Sequence, residues 1–314
     1  MSFLIKLTFN SLQSTSQRLL FGLLFVISIG ITKGQELEPR LLTNVPIKTN
    51  FLVANYSFSQ GNILLDPSIQ IEDLDSKLNA FVLGYARSFS LFGLSSKFDA
   101  ILPSANGFWE GRLDGEYRTR EVFGMGDPRL RLSVNFLGAP AISLKDYASY
   151  KPKTIAGASI QVFLPLGQYD PDRLINLGGN RFVFKPQVGF STRRGSWIFE
   201  TYGSVWVFTT NTDFFGGNVQ EQRPLLAVKQ HFIYTFKNRM WMSLDVGYAF
   251  GGQSRVNGNL TDSRISSMRF GAIIVYPFAK QHSLKLALNK AIRFEQGPDF
   301  YNIGLAYQFR WGKI

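Results

Sequence analysis

Basic side chains recur at alternate positions in several apolar stretches, and this spacing could build a cationic surface. In residues 129–137 the odd positions begin with Arg129 and Arg131, whereas the even positions are Leu130, Leu132, Val134 and Phe136. A β-strand directs successive side chains to opposite faces, so one face would be charged and the other apolar. Rings of Arg and Lys favour anions where they line a pore. The chemistry indicated is therefore recognition of anionic groups by fixed cations.

The same alternation elsewhere predicts a larger set of lumen-lining charges. It comprises Arg112, Arg118, Arg120, Arg129, Arg131, Arg181, Lys185, Lys229, Arg269, Lys285, Arg293 and Arg310, together with Glu110, Asp114, Glu116, Glu200 and Asp245. An alternative is that opposed charges merely pair across a filled lumen. The excess of cations, within a chain of net charge +12, favours an anion-preferring interior.

Catalytic chemistry finds little support in the sequence. A serine nucleophile needs a neighbouring histidine, and His231 and His282 stand without a Gly-x-Ser-x-Gly motif. The absence of cysteine excludes disulfides and thiolate metal sites. Asp170 and Asp172 lack the dense acid spacing of a calcium loop. We therefore expect no enzymatic activity, no catalytic residues, no metal and no cofactor.

Aromatic residues in two predicted loops are candidates for a constriction. Phe214 and Phe215 are adjacent in one loop, and Tyr169 lies in the other. Exposed phenylalanines are unfavourable unless they fold inward or contact an apolar solute. Packing within the loop is the alternative to a role in permeation.

The C-terminal stretch indicates which kind of sheet must position these residues. From Ile303 onward, apolar and aromatic residues alternate with small, polar or cationic ones up to Trp311. A charge at the bilayer midplane costs ~2–4 kcal/mol on the lipid face of a barrel, so charged faces must line water. The predicted signal for the barrel-assembly machinery is Gly304, Tyr307, Phe309 and Trp311.

The N-terminal stretch predicts export. Residues 19–31 are continuously apolar and follow Lys6 and Arg18, but they are shorter than the ~20 residues of a spanning helix. We therefore predict a signal peptide over residues 1–34, cleaved before Gln35. Residues 35–48 are predicted to form a periplasmic extension, residues 49–311 a single barrel and residues 312–314 a C-terminal tail.

Alternating loop lengths predict the topology. Residues 165–180, 211–222 and 253–262 form long polar loops, whereas residues 193–195, 237–239 and 277–281 form short turns. Outer-membrane barrels have short periplasmic turns, longer external loops and an even strand number. The fold class predicted is all-β, a transmembrane antiparallel β-barrel of about 12 strands, with 14 as the alternative. Residues 109–120 are predicted to be one strand, and the chain before Arg129 fits the alternation least well.

Several segments resemble a known family. They are residues 164–178, 180–181, 184–186, 213–217, 241–245, 282–285 and 304–311. Together they resemble the outer-membrane transporter family named after the meta-cleavage pathway of phenol degradation, over residues 50–311. The resemblance implies a β-barrel that admits hydrophobic or aromatic compounds, without catalytic residues.

The sequence therefore predicts a monomeric channel in the bacterial outer membrane. It would take up small organic solutes passively, including aromatic or anionic ones, and its partners would be outer-membrane lipid and the assembly machinery, not nucleic acid. The alternatives are a structural or adhesive barrel with a plugged lumen and, third, an outer-membrane hydrolase.

Overall fold

The computed structural model describes residues 37–63, 66, 68, 71–151 and 154–312. The predicted signal peptide lies outside the described residues, and so do residues 313–314 of the predicted tail. Gly312, which we assigned to that tail, ends the last strand. No helix in the described part of the chain is long and apolar enough to cross a membrane.

Strands make up most of the described chain. They are β1 (Thr49–Asn62), β2 (Glu72–Leu91), β3 (Leu94–Leu113), β4 (Glu116–Met125), β5 (Arg129–Leu137), β6 (Thr154–Phe163), β7 (Val183–Arg194), β8 (Trp197–Phe208), β9 (Asn211–Phe214), β10 (Asn218–Gln222), β11 (Leu225–Thr235), β12 (Trp241–Gly251), β13 (Ser254–Val256), β14 (Asn259–Leu260), β15 (Ile265–Tyr276), β16 (His282–Arg293) and β17 (Asp299–Gly312). A short helix, α1 (Leu144–Tyr147), and a 3₁₀-helix (Phe215–Gly217) lie in connections.

Twelve of these strands close into an antiparallel barrel, as predicted. Their order around the barrel is β1, β2, β3, β5, β6, β7, β8, β11, β12, β15, β16 and β17. The seam is the pairing of β1 with β17, which runs from Thr49 opposite Gly312 to Asn62 opposite Asp299. Closure leaves no free sheet edge, which is the condition for a sheet to exist in lipid.

The prediction of a single strand over residues 109–120 is wrong. A turn at Asp114 (φ 52°) and Gly115 (φ 78°) divides it into the ends of β3 and β4. Asp-Gly is a strong hairpin signal because both residues tolerate positive φ. The periplasmic part of β3, Ser96–Ile101, pairs with β5. Its external part, Ser104–Leu113, pairs with β4. Strand β4 thus stands on the external side of β5 and extends the barrel wall outward.

The two faces of each barrel strand differ as the alternation predicts. On β12 the outward Leu244 is 58% exposed, whereas its inward neighbour Asp245 is 4% exposed. Lys290 lies on the outward face of β16, where its ammonium group bonds to Asp299 Oδ1 at 2.7 Å and lies 4.7 Å from the Tyr301 ring centroid. This position is near the external end of β16, where a basic residue on the lipid face costs little.

The segment before β1 lies inside the barrel, so its predicted place as a periplasmic extension is wrong for the residues that the structure describes. Residues 37–48, here the N-terminal plug, enter from the periplasmic end. Leu41 and Leu42 are buried against Ile155 and Tyr202. Asn135 donates its amide N–H to Leu42 O at 3.0 Å, and Lys97 Nζ donates to Leu41 O. These bonds meet the requirement that buried backbone groups be paired.

The connection between β5 and β6 supports the plug. Periplasmic connections of outer-membrane barrels are usually short turns, but the connection from Leu137 to Thr154 is long and contains α1. Tyr147 donates its hydroxyl to Asn44 O at 3.1 Å, and Ile47 N donates to Ile142 O at 2.9 Å. The extra length therefore holds the base of the plug.

Gly157 makes room for the plug, which predicts the effect of a small side chain there. A Cβ atom at this position would lie 2.6 Å from Leu42 Cδ2. Overpacking costs about 1–3 kcal/mol, so we expect Gly157→Ala to raise the rate of tryptic cleavage after Arg40 by about tenfold, because cleavage follows the population of the released segment.

Gly203→Ala is the matched control, since a Cβ atom there meets nothing within 4 Å. Equal cleavage rates in the two variants and the wild type would contradict the tight fit of the plug.

Candidate functional site

A row of polar side chains runs from strand to strand along the inner face of the barrel, at the level of the plug. Asp99, Arg131, Gln161 and Lys185 are direct cross-strand neighbours on β3, β5, β6 and β7. Arg131, Gln161 and Lys185 are buried. The strand alternation places all four side chains on the inner face. The barrel interior is thus charged at this level.

Arg131 joins this row to the plug. Its Nε donates to Asp99 Oδ2 at 2.9 Å, and its Nη1 donates to Glu38 Oε2. The Arg131 side chain is 10% exposed. Losing one partner of a buried ion pair typically costs about 3–5 kcal/mol. The pair with Glu38 therefore holds the plug in place.

Cations in the outer half of the lumen lie over aromatic rings. Arg129 lies 5.1 Å from the Phe163 ring centroid, and Lys185 lies 4.7 Å from that of Trp206. Two further pairs are Arg181 with Phe208 at 4.8 Å and Arg269 with Phe300 at 5.2 Å. Phe163 and Trp206 belong to a buried apolar cluster with Val183 and Leu225. The lumen thus combines apolar surface with fixed positive charge.

Some buried polar atoms beside these pairs have no hydrogen-bond partner among the described residues. They are Gln161 Nε2, Arg181 Nη1, Gln187 Oε1 and Trp206 Nε1. Buried polar groups are normally paired with protein or water. These atoms are therefore available to water or to a polar group of a solute.

The acidic side chains in the periplasmic half of the lumen have hydrogen-bond partners. Glu200 accepts from Ser191 Oγ at 2.9 Å, from Tyr202 Oη at 2.8 Å and from Arg40 N at 2.6 Å. His231 Nδ1 and Asp245 Oδ1 are 2.7 Å apart, and Ser243 Oγ donates to Asp245 Oδ2 at 3.0 Å. The serine thus bonds to the aspartate instead of to the histidine, which differs from the arrangement of a catalytic triad.

The structure divides the predicted pore-lining residues into two groups. Those on the inner barrel wall or at its outer rim are Arg129, Arg131, Arg181, Lys185, Glu200, Lys229, Asp245, Arg269 and Lys285. Those outside the lumen are Glu110, Arg112, Asp114, Glu116, Arg118 and Arg120 on the external hairpin, and the exposed Arg293 and Arg310 at the barrel ends. For these residues the prediction is wrong, because the hairpin turn and the barrel ends lie beyond the enclosed wall.

External loops close the opposite mouth. Strands β14, β13, β10 and β9 form a small sheet in the long loops. From this sheet Gln220 Nε2 donates to Asp66 at 2.9 Å and to Ser68 Oγ at 2.6 Å. Gln220 lies in the β8–β11 loop and Asp66 in the β1–β2 connection, which leave the barrel at opposite positions. These bonds therefore span the mouth.

The predicted constriction residues pack within this closure. Tyr169 donates its hydroxyl to Asp213 O at 2.9 Å and accepts from Asn211 Nδ2 at 2.9 Å. Burial raises the pKa of Tyr169, so its hydroxyl stays protonated and able to donate at neutral pH. Phe214 is 8% exposed, and Phe215 lines an external cavity. The contacts thus show packing between loops, and a role of these residues in permeation stays a prediction.

Neither the plug nor the hydrogen bonds across the external mouth were predicted from the sequence. The available signal for the plug was the presence of Leu37, Leu41 and Leu42 in a segment predicted to be solvent-exposed. The contact of Gln220 with Asp66 and Ser68 had no local signal, because more than 150 positions separate the partners in the chain.

The comparisons with known proteins agree with this architecture. A family model described as MetA-pathway of phenol degradation matches residues 52–310. An outer membrane channel from Pseudomonas putida F1 has a TM-score of 0.73 at 20% identity, covering 88% of this chain and 100% of that chain. A comparison with curated protein sequences gave no match.

Two further solved structures are less similar. The β domain of the Bordetella autotransporter BrkA has a TM-score of 0.47 at 12% identity, covering 84% of this chain and 100% of that chain. The CymD monoaromatic hydrocarbon channel has a TM-score of 0.43 at 10% identity, covering 92% and 94%.

The bonds across the external mouth predict the effect of removing Gln220. Gln220→Ala deletes the donor to Asp66 and Ser68, so we expect the external loops to separate more often and the entry of small solutes into proteoliposomes to increase severalfold. Glu221→Ala is the control because Glu221 lies on the opposite, exposed face of β10. Equal entry rates would show that these bonds do not restrict access.

Proposed function

Because the chain belongs to the family described as MetA-pathway of phenol degradation, we propose that it is a gated outer-membrane channel. Small organic solutes, aromatic or anionic, would pass through it down their concentration gradient. The observation that carries this proposal is the set of lumen cations stacked on aromatic rings. The similar fold of a channel from Pseudomonas putida F1 supports it.

The lumen wall suits a solute that has an aromatic ring and an anionic substituent. Phe163, Trp206 and Phe208 would contact the ring, while Arg181 and Lys185 would contact the anion. Cation–π contacts contribute about 0.5–2 kcal/mol each, more when they are desolvated. A solute that makes both the ring contact and the anion contact gains more binding free energy than a neutral alkane or a small inorganic ion.

The plug would act as the gate of this channel. Glu38 bonds to Arg131 and also interacts electrostatically with Lys185 and Lys229. Its carboxylate therefore occupies the position in which these cations would hold an anionic solute. A solute that binds there would compete with Glu38 and favour release of the plug.

A structural barrel with a permanently plugged lumen is the second candidate. The closure of both barrel ends favours it. Arg131 holds the plug that enters from the periplasmic end, and the bond from Gln220 to Asp66 spans the external mouth. The two candidates differ in one measurable property, the passage of solute.

Neutralising Glu38 should release the gate. Glu38→Gln removes a charged hydrogen bond worth about 1.5–3 kcal/mol, so we expect at least a tenfold rise in open probability in planar bilayers. Glu221→Gln, an exposed external acid, is the charge-matched control. Absence of conductance in every variant, together with no liposome swelling in any organic acid, would establish the plugged structural barrel.

Lumen cations should set the charge preference of the open channel. In the Glu38→Gln background, Arg181→Gln and Lys185→Gln should shift the reversal potential under a salt gradient away from the anion value. Lys237→Gln in a periplasmic turn removes a charge outside the lumen and serves as control. Unchanged reversal potentials would contradict the anion preference.

A further inference from the structure

A second candidate site lies outside the lumen, on the external side of the barrel. It is a cavity of about 170 Å³ between the β3–β4 hairpin and the β6–β7 loop. Leu74, Trp109, Leu113, Ile175 and Phe215 supply apolar surface around it. Trp109 is fixed at the inner side because its indole N–H donates to Ile63 O at 3.1 Å.

The hairpin turn places basic residues on this cavity. Trp109 pairs with Arg120, and Gly111 pairs with Arg118 across β3 and β4. Directly opposed residues of an antiparallel pair share one face. The two arginines therefore lie on the same side as Trp109, although simple alternation along one strand would separate them.

One of the cations that line the cavity lacks an acidic partner. Arg118 pairs with Glu116 at 2.6 Å, and Arg173 lies 3.9 Å from Asp170. Arg120 has no ion pair with the described residues, and its buried Nε has no hydrogen-bond partner there. A buried guanidinium N–H without an acceptor is costly. Because the Arg120 side chain lines the cavity, its guanidinium group is the cation placed to meet an anionic group there.

The volume is sufficient for a small aromatic ligand. An apolar cavity of about 150 Å³ holds one benzene molecule, so a cavity of about 170 Å³ has room for one aromatic ring. We propose that this cavity binds a monocyclic aromatic carboxylate, with the carboxylate on Arg120 and the ring between Trp109 and Ile175. This inference rests on the proposed function in that it names the solute class, and it places a first binding site ahead of the lumen.

Benzoate is the probe that tests the site. With the full barrel in phospholipid nanodiscs, in an Arg181→Gln/Lys185→Gln background that removes the lumen cations proposed to hold an anion, equilibrium dialysis of radiolabelled benzoate should show saturable binding. Arg120→Gln should weaken it about tenfold or more, because a charge-assisted bond is lost. Arg255→Gln, which changes an exposed external arginine on β13, should leave it unchanged. Benzyl alcohol, which lacks the charge, should displace little of the bound benzoate.

A second variant tests the cavity without changing Arg120. Ile175→Trp should fill the cavity and abolish benzoate binding, and heat-modifiable gel mobility reports whether each variant folds. Benzoate binding that survives both Arg120→Gln and Ile175→Trp would overturn the site. Binding without any solute flux would refute the channel and keep the site, whereas flux with no benzoate binding would refute the site and keep the channel.

Discussion

The ion pair between Arg131 and Glu38 is the interaction on which the interior depends. A barrel in lipid must turn its charged residues inward, and a charge removed from water needs a partner. Arg131 takes one partner from the wall, Asp99, and one from the plug. The plug thus supplies the acidic partner of one lumen cation while it fills the lumen, and the same contact links folding stability to the closed state of the barrel.

The period-two alternation predicted the barrel together with the export signal and the alternating loop lengths, because lipid on one side and water on the other fix the chemistry of both strand faces. Strand β5 was predicted with both ends correct. The position of β4 differs from the prediction, because Asp114 and Gly115 form a turn instead of continuing a strand. One two-residue hairpin therefore moved a set of charges from the lumen to the external surface.

The site could be predicted in part. Lys185, Lys229 and Arg269 lie on the inner wall because strand periodicity alone determines their direction. The cation–aromatic pairs depend instead on which strands are neighbours and on their register, as for Lys185 of β7 and Trp206 of β8. The plug depends on long-range contacts of a short irregular segment. No local pattern in the sequence encodes the cation–aromatic pairs, and the leucines of the plug indicate that the segment is buried without indicating where.

The position of the plug in the chain also constrains the order of assembly. It directly precedes β1, and β1 forms the closing seam with β17. Its partners Lys97, Arg131, Asn135 and Glu200 lie on β3, β5 and β8, which precede β17 in the chain. A sheet that is still open can therefore already bind the plug. A plug bound in this way would hold the start of β1 beside the arriving last strand, so the barrel would close around the segment that fills it.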